Sequence, residues 1–219
     1  MRRFLGILLV VLLLVGLAGW LAWTNAQPPA DPVRTAEADW KLLLVNETNP
    51  LPEDWRVEEL VDLYNGEQVD SRIYPALQAM FDDARAQGVW PLVNEGYRSH
   101  ARQQELLNRR IAEYRDAGCD ETEARRLALQ QVALPGTSEH ELGLAVDIIA
   151  DGTKCGNETV YRWLRENAPE YGFILRYPAD KTELTGIEYE PWHYRYVGQA
   201  AAKEMTEQGI CLEEYLDAD

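Results

Sequence analysis

The stretch Ser138-Glu-His-Glu-Leu-Gly-Leu-Ala-Val-Asp147 constrains the fold most, because it runs into an apolar strand, Leu144 to Ile149, that carries a carboxylate in its middle. Side chains alternate along a strand, so Ala145, Asp147 and Ile149 share one face. A lone Asp on such a strand is costly to bury unless it is paired or bound to a metal. The chain has 3 histidines in 219 residues, and two of them, His140 and His193, stand beside carboxylates. His140, Asp147 and His193 form a nitrogen, oxygen, nitrogen set able to hold zinc with one position open, the ligand count of a catalytic site. Glu190, in Glu190-Pro-Trp-His193, is then a spare carboxylate beside a ligand, able to act as general base in a metallohydrolase. The same residues also suit a structural reading: a loop histidine, a turn or capping aspartate, and a half-buried strand histidine satisfied by backbone.

The start of the chain bears on where such a site would work. Phe4 to Trp23 is uncharged and follows Arg2 and Arg3, long enough to cross a bilayer with its positive flank inside. Residues 1–25 are therefore expected to be a single-pass N-terminal membrane anchor, with the bulk of the chain outside the cytoplasm. The alternative is a cleaved signal peptide, for which Thr24-Asn-Ala26 supplies small residues, leaving a secreted protein. Residues 26–39, with Pro28, Pro29 and Pro32, read as a tether, and 40–219 as one domain. Three cysteines allow at most one bridge within a monomer, and Cys155 with Cys211 is the expected pair. A net charge of −16 excludes nucleic acid as a partner, since phosphate binding needs basic surface. The chain is expected to act as a monomer.

Periodicity places the candidate residues on elements. Leu42 to Val45 suggests a short strand; Ile73, Leu77, Met80, Phe81 and Ala84 recur at helical spacing, and Gly88 closes that helix. Val89 to Asn94 reads as a buried strand leading to Glu95-Gly-Tyr-Arg-Ser99. Ser99 is the N-cap of a helix with Leu107, Ile111 and Tyr114 on one face, and His100 starts it. Asp120 and Glu123 resemble a capping box for a helix reaching about Ala133. Val160, Trp163 and Leu164 mark another helix, ending near Gly172. Phe173 to Tyr177 reads as a strand, Pro178 to Gly186 as a polar loop, and His193 to Val197 as a strand. Ala200 to Gln208 makes a last helix, and Cys211 to Leu216 a tail. On a regular strand Glu190 and His193 would point to opposite faces, so a bend or bulge at Pro191-Trp192 is required for both to reach one metal.

Four motifs carry a family likeness. Leu44-Val-Asn-Glu-Thr-Asn-Pro-Leu-Pro52, Gly96-Tyr-Arg-Ser99 with Gln103 five residues after the arginine, the Ser138 to Asp147 segment, and Glu190-Pro-Trp-His-Tyr-Arg-Tyr-Val-Gly198 occur in the order seen in the VanY-type zinc D-alanyl-D-alanine carboxypeptidases, which the chain resembles from about Trp40 to Leu216. The resemblance implies an α+β fold, a small antiparallel sheet with flanking helices carrying a zinc site, of the D-Ala-D-Ala carboxypeptidase or hedgehog-like type. It implies one zinc ion held by His140, Asp147 and His193, with Glu190 as catalytic base and Arg98 steadying the substrate carbonyl. Gln103 and Ser138 would line the substrate cleft, and Tyr97 and Trp192 would shape its walls. The implied substrate is the peptidoglycan stem peptide, losing its terminal D-alanine. An L,D-carboxypeptidase acting on tetrapeptide stems, or a wall-binding module without catalysis, shares the same motifs.

Overall fold

The computed structural model describes residues 40–52 and 55–217. The segments read as anchor and tether lie outside the described residues, and among the described residues no helix is long and apolar enough to cross a membrane. The fold is α+β. A hairpin of β1 (Leu60–Asp62) and β2 (Gln68–Asp70) precedes helix α1 (Tyr74–Ala86), which Pro75 helps to start. Strand β3 (Pro91–Glu95) follows, then α2 (His100–Asp116) and α3 (Glu121–Leu129). Ser99 Oγ accepts from Arg102 N at 3.2 Å and Asp120 Oδ1 from Glu123 N at 2.9 Å, so both expected caps form. The helix after Asp120 stops at Leu129, short of Ala133, and Val132 beyond it is buried.

Strand β4 (Ala145–Ala150), helix α4 (Asn157–Asn167) and strand β5 (Phe173–Leu175) come next. A one-turn helix α5 (Thr182–Thr185) lies where a polar loop was expected. Strand β6 (His193–Tyr196), helix α6 (Gln199–Gln208) and helix α7 (Leu212–Asp217) complete the order. The main sheet runs β3-β4-β6-β5 and is antiparallel throughout. Val146 and Ile148 on β4 face the main core with Leu77, Met80, Val160 and Leu164. Alternation therefore turns Asp147 to the opposite face. Two satellite clusters join α2 to α3, through Leu107, Ile111, Ala124 and Ala128, and β5 to α6 and α7, through Ile174, Ala202, Met205 and Leu212.

Two expectations fail for identifiable reasons. Leu42 to Val45 is irregular, and a buried arginine holds the backbone here: Arg195 Nη2 donates to the Leu43 carbonyl and to that of Lys41 just before it, at 3.0 and 2.9 Å. The Cys155–Cys211 bridge is not made; all three cysteines are free. Cys155 Sγ accepts from Trp90 N at the entrance to β3, whereas Cys211 is buried just ahead of α7.

Candidate metal centre

Register sets the site. Asp147 pairs across the sheet with His193 on β6 and with Glu95 on β3, so the three side chains form a row on one face. A register shift between Val93 and Glu95 puts an irregularity in β3 beside this row. Glu190 arrives by a tight turn: His193 N donates to the Glu190 carbonyl at 3.1 Å, with Pro191 second in the turn, where its fixed φ fits. The expected departure at Pro191-Trp192 is thus a four-residue turn ahead of β6. It sets Glu190 Oε2 3.7 Å from His193 Nδ1.

His140 enters from a one-turn helix, Glu139–Leu142, that ends on Gly143 with φ 75°. That turn is locked to the Gly96–Arg98 segment twice. His140 Nδ1 donates to the Gly96 carbonyl at 2.8 Å, and Arg98 N donates to the His140 carbonyl at 3.1 Å. The first bond leaves His140 Nε2 with a free lone pair turned to Asp147 Oδ1, 3.4 Å away. His193 Nδ1 lies 3.0 Å from the same oxygen. Burial, and then the charge of Arg98, push the His140 pKa down, favouring the neutral ring that a metal requires. Burial opposes a charged Asp147, but His140 and His193 outweigh it and hold the carboxyl well below its usual range.

The donor set fits zinc. The ligand atoms of His140, Asp147 and His193 lie within 4.8 Å of one another. Donors about 2.0 Å from a shared tetrahedral centre are roughly 3.3 Å apart, close to the 3.0 and 3.4 Å spacings found here. Asp147 Oδ1 is buried and has no hydrogen-bond partner among the described residues. A carboxylate oxygen left bare between two imidazole nitrogens is what a cation site would leave.

The set opens into a cleft of about 430 Å³. Arg98, Ser138, Glu190 and Trp192 line it with the three candidate ligands. Burial raises the Glu190 carboxyl to about 7. Arg98 is spread over three groups: Nε donates to Glu95 at 3.1 Å, Nη1 to Gln103 Oε1 at 2.9 Å, and Nη2 lies 3.5 Å from Asp147 Oδ2.

Two expected substrate contacts lie elsewhere. Gln103 is fully buried behind Arg98, where its Nε2 donates to the Ala133 carbonyl at 2.8 Å; it braces the arginine and does not line the cleft. Tyr97 borders a separate cavity with Trp55, His100 and Glu141. Neighbours on an extended segment point to opposite sides, so with Arg98 facing the cleft Tyr97 faces away. His100 starts α2 and is no part of the cluster.

The family model VanY, D-alanyl-D-alanine carboxypeptidase, matches residues 66–199. A D-alanyl-D-alanine carboxypeptidase of Enterococcus faecalis is 54% identical over 183 residues, covering 84% of this chain and 68% of that protein. The chain belongs to the VanY family.

Solved VanY structures superpose on the described domain. VanYB in complex with D-alanine-D-alanine matches with TM-score 0.81 and 54% identity, over 83% of this chain and 99% of that one. A mutant of the vancomycin-resistance D,D-pentapeptidase VanY in complex with Zn(II) matches with TM-score 0.79 and 55% identity, over 81% and 99%. The LD-carboxypeptidase LdcB is more distant, with TM-score 0.67 and 34% identity over 80% and 84%.

Sequence reasoning passed over several groups that this VanY-family structure places at the site. Glu139, at 1% exposure, lines the cleft beside His193, between Arg176 and Arg195. Tyr177 packs on the His193 ring with centroids 4.8 Å apart. Arg109 and Arg110 on α2 also line the cleft.

Proposed function

We propose that this VanY-family chain is a zinc-dependent D-alanyl-D-alanine carboxypeptidase that removes the C-terminal D-alanine from peptidoglycan stem peptides. The observation that carries the reading is the bare Asp147 Oδ1 set between His140 Nε2 and His193 Nδ1, with the Glu190 carboxyl beside it in one cleft. His140, Asp147 and His193 hold one zinc ion, which when bound polarises the scissile carbonyl and makes water more acidic. Glu190 takes the proton of the attacking water on its carboxylate and delivers it to the departing amine. Burial pushes this carboxyl upward, the direction that suits a group that must both accept and return a proton.

Arg98 supplies fixed positive charge where the carbonyl oxygen becomes negative, a role worth several kcal/mol when the donor is held in advance. Its bracing by Glu95, Gln103 and Asp147 supports that assignment. Ser138 and Trp192 contact the peptide from the cleft wall. The N-terminal segment Phe4 to Trp23 anchors the protein as a single span, with the domain outside the cytoplasm, where its substrate lies. The working unit is a monomer.

Incubation with defined pentapeptide and tetrapeptide stems, read by mass spectrometry with and without added zinc, tests the activity. Loss of one alanine from the pentapeptide, dependent on zinc, is expected. Trimming of the tetrapeptide alone would replace the reading with an L,D-carboxypeptidase, and no hydrolysis of either would leave a binding module. Fractionation of cells with protease accessibility tests the anchor.

A further inference from the structure

Beside His193, with Glu139 at the wall of the cleft, sits a charge cluster that the reaction as described leaves unused. Glu139, Arg176 and Arg195 have exposures of 1%, 1% and 0%. Glu139 Oε1 accepts from Arg176 Nε at 2.8 Å and lies 3.0 Å from Arg195 Nη1. Arg176 then donates through Nη1 and Nη2 to both carboxylate oxygens of Glu213 on α7, at 2.9 and 2.7 Å. Helix α7 begins at Leu212, beyond the last residue matched by the family model, 199.

One oxygen of Glu139 is left over. Oε2 has no hydrogen-bond partner among the described residues, and it faces His193 Nε2 across 3.7 Å, a buried ring nitrogen equally without a partner. Unpartnered buried polar atoms are costly, and here a donor and an acceptor confront each other. The other ring nitrogen, Nδ1, faces Asp147. A histidine ligand binds metal through one nitrogen while its other N–H is held by a carboxylate or carbonyl, which fixes ring orientation and tautomer. His140 has such a holder in the Gly96 carbonyl. For His193 the group in the equivalent place is Glu139.

We propose that Glu139 is a positioning residue for the metal centre: its Oε2 accepts the His193 Nε2 proton and turns Nδ1 to the metal, while α7 holds Glu139 in place through Glu213 and Arg176. Neutralising two arginines needs only a negative charge nearby. Directing His193 needs this oxygen at this place. The inference rests on the zinc reading of the site.

The test is zinc affinity, measured by competition with a chromogenic chelator, on wild type, Glu139→Asp and Glu213→Gln, with the unfolding midpoint of each metal-free protein followed in parallel. Glu139→Asp keeps the charge but withdraws the carboxylate by one methylene. It should raise the zinc dissociation constant by about 10–100-fold. Glu213→Gln should act in the same direction and less. A folded Glu139→Asp with wild-type zinc affinity overturns the proposal, and an unchanged Glu213→Gln removes α7 from it. Should Glu139→Asp fail to fold, the nitrogen-15 spectrum of zinc-loaded wild type decides. The His193 Nε2 proton should resonate downfield as a carboxylate-bonded proton, and a position like that of an unbonded imidazole N–H overturns the proposal. Wild type that binds no zinc at all would refute the function proposed above, a different failure.

Discussion

Replacing Gly96 by alanine tests whether the metal centre depends on backbone contact between two loops. A Cβ on Gly96 would lie 2.1 Å from the Gln68 carbonyl oxygen and 3.1 Å from its carbon, so backbone must move. The bond at risk is the one the Tyr97 N–H donates to Gln68 O, 2.6 Å long, which ties this segment to β2. Overpacking of this kind costs about 1–3 kcal/mol, and losing the hydrogen bond about 0.5–1.5 kcal/mol more. Together they give about 2–4 kcal/mol, or roughly 5–15 °C in unfolding midpoint for a domain of this size.

The displacement also reaches the site, because the Gly96 carbonyl is what His140 Nδ1 donates to. Freed of that bond, the His140 ring can turn its Nε2 away from Asp147, and loss of such a holder typically weakens a metal site about 10–100-fold. Differential scanning calorimetry of the metal-free protein and chelator competition measure the two effects separately. An alanine variant that melts within about 2 °C of wild type and keeps its zinc affinity would refute the contact.

Glu190→Gln should keep zinc and lower kcat by about 100–10,000-fold, the range expected for a general base; near-normal turnover in stopped peptide-release assays would remove Glu190 from that role. His193→Ala should lose both zinc, by elemental analysis, and activity, and an unchanged metal content would break the ligand set. Gln103→Ala should destabilise the domain by about 1–3 kcal/mol through the unmet Ala133 carbonyl, and lower kcat through Arg98 with zinc affinity retained. A rise in KM alone would instead return Gln103 to the cleft wall.

The parts of the fold legible in the sequence are those that local chemistry decides. Ser99 and Asp120 announce helices because a short oxygen-bearing side chain can reach the N–H groups that a helix start leaves free. The β4 segment was readable because Val146 and Ile148 alternate with Asp147, and burial of the first two dictates where the third points. Leu42 to Val45 misleads for the opposite reason. Its pattern suits a strand, but Arg195, more than 150 residues away in sequence, takes the Leu43 carbonyl and that of Lys41 beside it. No local propensity encodes that competition.

The same divide runs through the site. His140, Asp147, His193 and Glu190 lie in two short segments whose residue types advertise the chemistry, and sheet register then brings them together. Tyr97 and Gln103 belong to a motif just as recognisable, yet a motif does not say which side chains touch substrate and which brace those that do. Only the bulge in β3 and the facing of Arg98 decide it. Glu139 left a subtler trace. His193 and Arg195 stand two apart on β6, hence on one face, and both are buried. A guanidinium never sheds its charge in a protein, so a fully buried arginine beside a candidate ligand demands an acid nearby. The acid that answers, Glu139, is next in sequence to the other histidine, so one carboxylate meets the demand of Arg195 and faces the outer nitrogen of His193.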